Sequence, residues 1–407
     1  MKMLRLPAVF MRGGTSNAIV FRQEDLPDDR ALWPQIFLAA IGSPDPNGRQ
    51  LDGMGGGISS LSKVCVIGPP SRPDADVDYT FAQIFVKEAG VDFSGNCGNM
   101  SSAVVPFAVD EGLVPASGDE AVVRIHNTNT NKIIVSRFPL DDGVAAVDGD
   151  FVLPGVAGTG APVRLEFLDP GGSKTGELLP TGNPVDMLDV PGVGRIDVSL
   201  VDAANPGAFV RAGDLGRNGT EAPGELDTDH ALLAKLDAIR CQASIAMGLA
   251  GTVAEAQAIS SVPRVGFVAA PCAADTLSGD RLSAEDMDFI VRMISVGQPH
   301  RATPLTAAMG LAVAARIEGS IVHQVARAPG APDQDIRIAH PSGVTTVAAE
   351  VRREGDRWFA ESVVVYRTAR RLMDGWVYVR ASMVPALAND GIADGATAGA
   401  FRASISA

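Results

Sequence analysis

The sequence contains no apolar run of the roughly eighteen residues that a membrane-spanning helix needs. Its first residues, 1–7, enter a strand pattern and lack the apolar core of a signal peptide. Cysteine is scarce, and the four residues Cys65, Cys97, Cys241 and Cys272 show no disulfide-framework spacing, which suits a reducing cytosol. We therefore expect a cytoplasmic protein that does not enter the membrane.

Positive charge is in deficit. The chain has 34 lysines and arginines against 48 acidic residues, a net charge of −14, which argues against binding to nucleic acid or to an anionic membrane surface. A small anionic substrate is still compatible with this charge, since local donors can override the global field. Metal-ligand spacing is also absent around His126, His230, His323 and His340, so we expect no metal site.

Length and composition predict a strand-rich protein of two domains. At 407 residues the chain is too long for one ordinary core, and its 44 glycines and 27 prolines indicate many turns. The best domain boundary is the Pro/Gly-rich stretch 179–194. Sequence patterns predict helices at 31–42, 101–109, 229–249, 283–296 and 305–316. The predicted strands include 62–67, 163–168, 265–269 and 358–366.

The segment 93–100 places Cys97 between glycines and asparagines, where a helix is predicted to begin. Glycines let the backbone approach a ligand, and the first N–H groups of a helix are unpaired. An anion would bind there, and a thiol there would ionise more readily. Asn96, Gly98 and Asn99 are therefore candidate ligands beside Cys97. The alternative is a buried, inert cysteine in a tight turn.

Two other glycine-bearing segments are rich in hydrogen-bond donors. The turn 12–17 serves equally well as a hairpin turn or as a ligand loop. Segment 52–60 lacks the Lys-Ser/Thr ending of a P-loop and the spacing of a dinucleotide fingerprint, so we expect no nucleotide cofactor, although its N–H groups can face a carboxylate. The candidate donors are Thr15, Ser16, Asn17, Gly56, Gly57, Ser59 and Ser60.

Lys63 follows the second of these segments and leads the predicted strand 62–67, where it shares a face with Cys65. A lysine that leads a buried strand is a candidate for a lowered pKa. A lysine that snorkels at a strand end is the equally supported alternative.

The second half of the chain repeats this layout without repeating its letters. A polar turn, 297–304, opens the small-residue helix 305–316, with Thr303 as the predicted N-cap and Pro304 as the first helical residue. Two such helix starts facing one cleft would form a paired anion site. A surface salt bridge for Arg301 and a helix-start hydrogen bond for His300 are the alternatives to ligand binding. The candidate ligands in this half are Asn205, His300, Arg301 and Thr306.

Together these motifs resemble the PrpF family, whose members isomerise unsaturated tricarboxylic acids. The resemblance covers nearly the whole chain and rests on the order of the segments 11–16, 41–46, 52–56, 59–63, 94–99, 180–183 and 340–343. It implies an α+β, diaminopimelate epimerase-like fold with two similar domains, each a curved, barrel-like, mostly antiparallel sheet wrapped around a central helix. It further implies an active site between the domains 1–187 and 188–367, with the strands of 368–407 returning to the first domain.

The resemblance also implies a cofactor-independent allylic proton shift, with Lys63 as base and acid. Cys97 would carry a second proton or orient the substrate. The helix-start N–H groups and the polar turns would stabilise charge that develops on a carboxylate. Arg301 and His300 would hold a distal carboxylate.

Three alternatives stay open. The substrate could be 2-methylaconitate, 4-oxalomesaconate, aconitate or methylitaconate, and segment 300–306 departs from the His-His-Ala-Met-Met form associated with 2-methylaconitate isomerases. An epimerase or racemase is disfavoured because the epimerases' second cysteine is absent from 305–309. A non-catalytic helper of an aconitase-like dehydratase is the third. A homodimer is also expected.

Overall fold

The computed structural model describes residues 3–259, 261–295, 297–327 and 334–385. The elements of the first half are β1 Met3–Gly13, β2 Ser16–Arg22, α1 Trp33–Ile41, β3 Lys63–Gly68, β4 Val77–Ile84, β5 Val91–Asp92, α2 Gly98–Asp110, β6 Glu120–Asn127, β7 Lys132–Asp141, β8 Val144–Ala145, β9 Phe151–Val152, β10 Thr159–Gly160 and β11 Val163–Leu168.

The elements of the second half are β12 Asp186–Val190, β13 Gly194–Ala203, β14 Asn205–Arg211, α3 Pro223–Thr228, α4 His230–Ala246, α5 Val253–Ala258, β15 Arg264–Ala269, β16 Ala274–Asp275, β17 Arg281–Leu282, β18 Phe289–Ser295, β19 Gln298–Pro299, α6 Leu305–Arg316, α7 Ile321–Val325, β20 Ile336–His340, β21 Gly343–Glu354, β22 Arg357–Arg367 and β23 Ala369–Arg380. In this described part of the chain, no helix is long and apolar enough to cross a membrane.

The two halves share one order of elements. Each has an antiparallel hairpin, β1–β2 or β13–β14, whose second strand lies parallel to a later strand, β3 or β15. An antiparallel neighbour, β4 or β18, then precedes a buried helix, α2 or α6. The series β6, β7, β11 completes the first half, and β20, β21, β22 completes the second. The structure therefore contains the repeat of layout that the sequence indicated.

Two pairings between strands of the described residues join the halves, beside a single bridge between Gly171 and Ala203. Strands β11 and β22 run antiparallel side by side. The last strand, β23, runs antiparallel along all of β1, from the pair Met3–Arg380 to the pair Gly13–Ala369. The expected return of the C-terminal strands covered 368–407, of which 386–407 lie outside the described residues.

Helices α2 and α6 are packed among the strands. All residues of α2 from Met100 to Val109 are buried, as are those of α6 from Leu305 to Ala315. A helix without a polar face belongs in a core, and its many alanines let the strands pass close to its axis. Each large apolar side chain buried there, such as Phe107 or Leu311, contributes about 1.5–3 kcal/mol of transfer free energy.

The predicted helix at 283–296 is wrong. Ser283 and Asp286 do form a reciprocal cap, but only a single 3₁₀ turn, Ala284–Asp286, follows it. Residues Phe289–Ser295 form β18, and six of its seven side chains are buried. A strand covered on both faces is mostly apolar, here with the buried Arg292 as the exception, so a true helix-start signal led into a run without helical periodicity.

The predicted cap of α6 is wrong by one residue. Pro304 is the N-cap, with extended backbone angles, and the helix begins at Leu305. Thr303 is buried, and its hydroxyl has no hydrogen-bond partner among the described residues. Neither Pro304 nor Cys97, the N-cap of α2, caps its helix through its side chain, so the first N–H groups stay available to a ligand.

Candidate active site

The starts of α2 and α6 meet, one from each half of the chain. Gly98, the first residue of α2, packs so closely that a Cβ there would lie 2.8 Å from Leu305 Cδ2 at the start of α6. The free N–H groups and positive dipole ends of both helices therefore converge on one region. Such a region favours a multiply charged anion.

Lys63 lies buried at the start of β3. Its side-chain nitrogen, Nζ, donates to Gln83 Oε1 at 2.5 Å and lies 5.0 Å from the centre of the Phe81 ring. Burial lowers the pKa of Lys63; Cys97 acts to raise this pKa, and Arg264 to lower it further. Because charges interact this strongly only over short distances, Lys63, Cys97 and Arg264 lie in one neighbourhood. The lowered pKa increases the neutral fraction of Lys63, which can act as a base.

Cys97 is half-buried, whereas Cys65 beneath it is fully buried. The backbone oxygen of Cys97 accepts hydrogen bonds from Tyr79 Oη at 3.4 Å and from the backbone N–H of Ser101 at 3.0 Å. Burial raises the pKa of both Cys65 and Tyr79, so these two groups stay protonated at neutral pH. Cys97 is therefore the thiol on the open side of this cluster.

Arg264 is a site residue that sequence reasoning missed. It begins β15, the position that Lys63 holds in β3, and its NH1 group donates to Ser295 Oγ at 3.3 Å. Its Nε is buried with no hydrogen-bond partner in the described chain. Burial lowers the pKa of Arg264 and Cys97 acts to raise it. The guanidinium of Arg264 therefore offers a positive charge and an unused N–H donor, at Nε, to a ligand.

Asn205 and Thr306 connect the second half to the Cys97 loop. Asn205 Nδ2 donates to Thr306 Oγ1 at 3.2 Å, and both residues are buried. A Cβ at Gly95 would lie 3.9 Å from the same Nδ2. Asn205 Oδ1 accepts no hydrogen bond from any described residue, so it is free to accept one from a ligand.

A second missed arginine, Arg367, lies behind the start of α2. Its Nε donates to Asn99 Oδ1 at 3.1 Å, and Asn99 Nδ2 in turn donates to Thr15 Oγ1 at 3.1 Å. Burial lowers the pKa of Arg367 to about 10, and in the described structure no acidic residue pairs with it. The backbone at residue 14 approaches the Asn99 side chain so closely that only glycine fits there. A Cβ on Gly14, whose φ is +53°, would lie 2.3 Å from Asn99 Oδ1.

His300 lies near the same cations. Burial, together with the charges of Arg264 and Lys63, lowers its pKa to about 4, so the ring is neutral at pH 7. Its Nδ1 lies 2.5 Å from Ala302 O. Arg301, by contrast, is exposed, and its backbone oxygen accepts a hydrogen bond from Ser342 Oγ.

The segment before β3 is arranged differently from the predicted donor loop. The N–H of Gly57 donates to Gln50 Oε1 at 2.8 Å, and the N–H of Gly56 donates to Leu61 O at 3.2 Å. Both groups are therefore occupied within the chain. Ser59 is exposed and Ser60 half-buried; the Ser59 backbone oxygen accepts from Gln83.

Other predicted residues lie around this centre. Ser16 is buried and Asn17 half-buried at the start of β2, and Asn96 is buried, with its Oδ1 accepting from Asn127. No group of three or more histidine, cysteine or acidic side chains that could hold a metal ion occurs in the described ranges.

The chain matches the model of the PrpF protein family over residues 3–380. It belongs to the PrpF family. The family assignment agrees with the resemblance that the sequence motifs carried.

Named relatives of this PrpF protein are isomerases. It is 44% identical to the 3-methylitaconate isomerase of Eubacterium barkeri, over 92% of this chain and 97% of the relative. It is 39% identical to the 2-methyl-aconitate isomerase of Shewanella oneidensis, with the same two coverages. The crystal structure of a methylitaconate-delta-isomerase superimposes with a TM-score of 0.79 at 42% identity, covering 94% of this chain and 98% of that one. This PrpF protein is therefore an isomerase.

A more distant likeness shows the fold alone. The crystal structure of a probable proline racemase from Agrobacterium radiobacter matches with a TM-score of 0.50 at 13% identity, covering 95% of each chain. The expected α+β, epimerase-like fold is confirmed.

Proposed function

We propose that this protein is a cofactor-independent isomerase that moves a carbon–carbon double bond in a small, unsaturated tricarboxylic acid. The observation that carries the proposal is the buried amine of Lys63, grouped with Cys97 and Arg264 beside two converging helix starts. A base of lowered pKa surrounded by cations and N–H donors suits proton removal next to a carboxylate. The names of the relatives support unsaturated acids as substrates.

The proton transfer proceeds through Lys63. Its neutral amine takes a proton from a carbon next to both a double bond and a carboxylate, and the electron pair spreads into a dienolate. A proton then returns two carbons away, from the Lys63 ammonium or from the thiol of Cys97, and the double bond has moved. General acid–base catalysis by a positioned group contributes about 10²- to 10⁴-fold to the rate.

The dienolate needs stabilisation where its charge develops. Arg264 offers a fork of donors that matches a carboxylate, and a guanidinium keeps its charge far more readily than a lysine amine does. The N–H groups of Gly98 and Asn99, with the side chains of Asn205 and Thr306, supply further polar contacts around the same region. Preorganised donors of this kind act most strongly where water is excluded.

We infer that the chain divides into the domains 1–187 with 368–407, and 188–367, with the site between them. The pairing of β23 with β1 supports the return of the last strands. We also propose that the enzyme is cytoplasmic and acts as a homodimer.

A racemase that uses two cysteines is the weaker alternative. The N-cap position that Cys97 holds in α2 is held by Pro304 in α6, so the second half supplies no thiol at the matching helix start.

The test is to incubate the protein with methylitaconate, 2-methylaconitate, 4-oxalomesaconate and aconitate in deuterated water. NMR would show which carbon takes up deuterium. Exchange at the two ends of an allylic unit, lost in a folded Lys63→Met variant, is expected. Exchange at a single stereocentre without movement of the double bond would instead indicate a racemase, and full activity of Lys63→Met would remove Lys63 from the mechanism.

A further inference from the structure

Gln83 is the direct hydrogen-bond partner of Lys63. The two residues face each other across the antiparallel pair β3–β4, and Lys63 Nζ lies 2.5 Å from Gln83 Oε1. This is a short contact for a donor to a neutral amide. This hydrogen bond fixes the position of the Lys63 amine close to Cys97 and Arg264.

The orientation of the Gln83 amide is set by the backbone. Its Nε2 donates to Ser59 O and to Ser62 O, each at 3.0 Å. Both carbonyls belong to the turn that leads into β3. If the amide were reversed, its oxygen would face these carbonyls and its NH₂ group would face the amine, so only the observed orientation satisfies all partners.

The groups around Lys63 make a neutral partner significant. They are Cys65 on its own strand, Phe81 on β4, Cys97 before α2, Arg264 on β15 and His300 after β19. None of these is a carboxylate, and in the described chain no acidic side chain forms an ion pair with Lys63. A neutral amide accepts a hydrogen bond from an amine without adding the negative charge that would retain the proton.

The second half makes a comparable contact at the matching position. Ser295 ends β18 and follows Ile294, the partner of Val265 in β15, whereas Gln83 pairs directly with Lys63 across β3 and β4. Ser295 Oγ accepts from Arg264 NH1 at 3.3 Å. Each half therefore holds its first-position cation through an uncharged acceptor on the neighbouring strand.

We propose that Gln83 is a positioning residue, which fixes one N–H of Lys63 so that the amine's lone pair is directed toward the bound substrate, while leaving the amine easy to deprotonate. The inference rests on the proposed function, since it assigns Gln83 a task only if Lys63 is the base. Gln83 acts through Lys63 and takes no proton itself.

The test compares Gln83→Glu and Gln83→Met with the wild-type enzyme by the pH dependence of kcat, using methylitaconate and 2-methylaconitate as probes. Gln83→Glu adds a negative charge beside the amine and should raise the midpoint of the acid limb by about one to two pH units. At a pH below both midpoints this lowers kcat about 10- to 100-fold, with recovery at higher pH. Gln83→Met should lower kcat about tenfold and change KM little.

Gln257→Glu is the matched control, because it makes the same charge change at an exposed position on α5. It should leave the pH profile unmoved. Circular dichroism and urea unfolding establish that each variant is folded. A folded Gln83→Glu enzyme whose profile superimposes on the wild-type profile overturns the positioning role. If that variant does not fold, an unchanged kcat for Gln83→Met overturns it instead.

A measurement without substrate separates this inference from the proposed function. Competitive acetylation with acetic anhydride across a pH series, read by peptide mass spectrometry, reports the titration of Lys63 directly. Gln83→Glu should move that titration upward, and an unmoved titration contradicts the inference. Full turnover by Lys63→Met would contradict the assignment of Lys63 as the base in the proposed function, and absence of turnover by the wild-type enzyme on every unsaturated acid tested would contradict the proposed function itself, whatever the labelling shows.

Discussion

The two halves of the molecule place different chemistry at matching positions. Lys63 begins β3 in the first half, and Arg264 begins β15 in the second. Cys97 precedes the first central helix, and Pro304 precedes the second. A lysine amine can lose its proton when burial lowers its pKa, whereas a guanidinium keeps its charge. Under the proposed function, the first half therefore moves protons and the second half holds the anion.

This division follows from what a proton-transfer site needs. If both matching positions carried titratable groups, the charge that binds the substrate would vary with the charge that removes its proton. Under the proposed function, a permanent cation at Arg264 would keep substrate binding constant while Lys63 changes its protonation state. Arg264 acts to lower the pKa of Lys63, so in that proposal the second half would help to prepare the base of the first.

The largest expected effect comes from Lys63→Arg, which gives both halves the same cation. The charge is kept but the base is lost, so deuterium exchange into methylitaconate or 2-methylaconitate should fall about 10³-fold or more. Binding of the same compounds, measured by calorimetry, should change far less. Exchange within a few-fold of the wild-type rate would show that Lys63 is not the base, and the proposed difference between the two halves would be wrong.

Arg264→Met should have the next largest effect. Loss of a charged hydrogen bond of about 1.5–3 kcal/mol predicts a fall in kcat/KM of about 10- to 150-fold. Arg264→Lys, which keeps the charge and loses the fork, should recover part of it. Steady-state kinetics on both variants check this, and a Met variant with wild-type kcat/KM would remove Arg264 from the site.

The stability of the second half should depend on pH through His300 and His340. Burial lowers their pKa values to about 4 and about 3, from about 6.5 in an unfolded chain. The unfolded state therefore binds protons more readily, and the stabilisation is present above pH 6.5 and lost as the pH falls toward 4 and then 3. Between pH 6.5 and 5.5 the two together should cost about 2 kcal/mol.

Urea unfolding at the two pH values measures this cost. The variant with both His300→Gln and His340→Gln supplies the control, because its pH dependence should be smaller by about the same amount. If the double variant shows the same pH dependence as the wild-type protein, the pKa values of His300 and His340 are not lowered in the folded state.

The smallest expected effect tests whether the two helix starts touch. Gly98→Ala places a methyl group 2.8 Å from Leu305 Cδ2, so the leucine must shift, at a cost of about 1 kcal/mol. In a Leu305→Ala background that cost should vanish, giving a coupling energy of about 1 kcal/mol in urea unfolding. Strict additivity of the two changes would place the helix starts apart.

Local features made part of the site predictable. The sequence indicates Cys97 as a candidate because glycines and asparagines at a helix start are a short-range signal, and Lys63 because it leads an apolar strand after a glycine segment. The structure places both residues in one neighbourhood, and their roles stay predictions. Arg264 lies one residue before the predicted strand 265–269, and Arg367 lies one residue after the predicted strand 358–366. Neither arginine was therefore included in the predicted site. No pattern near either arginine marks it as buried, since burial here comes from distant elements.

The same limit explains the error at β18. The reciprocal cap of Ser283 and Asp286 is a true local signal, and the sequence carries it without ambiguity. Whether a mostly apolar run continues it as a helix or becomes a central strand depends on the neighbours β15 and β20. Those neighbours are set by the tertiary arrangement.

Local sequence was enough to specify the two small-residue helices, their polar starts, the lysine and the cysteine, because caps, turns and apolar periodicity act over a few residues. The meeting of Gly98 with Leu305, the burial that lowers the pKa of Lys63, and the arrival of Arg264 and Arg367 depend on residues far apart in the chain. Desolvation and charge act through space, so only the folded chain could bring these groups together.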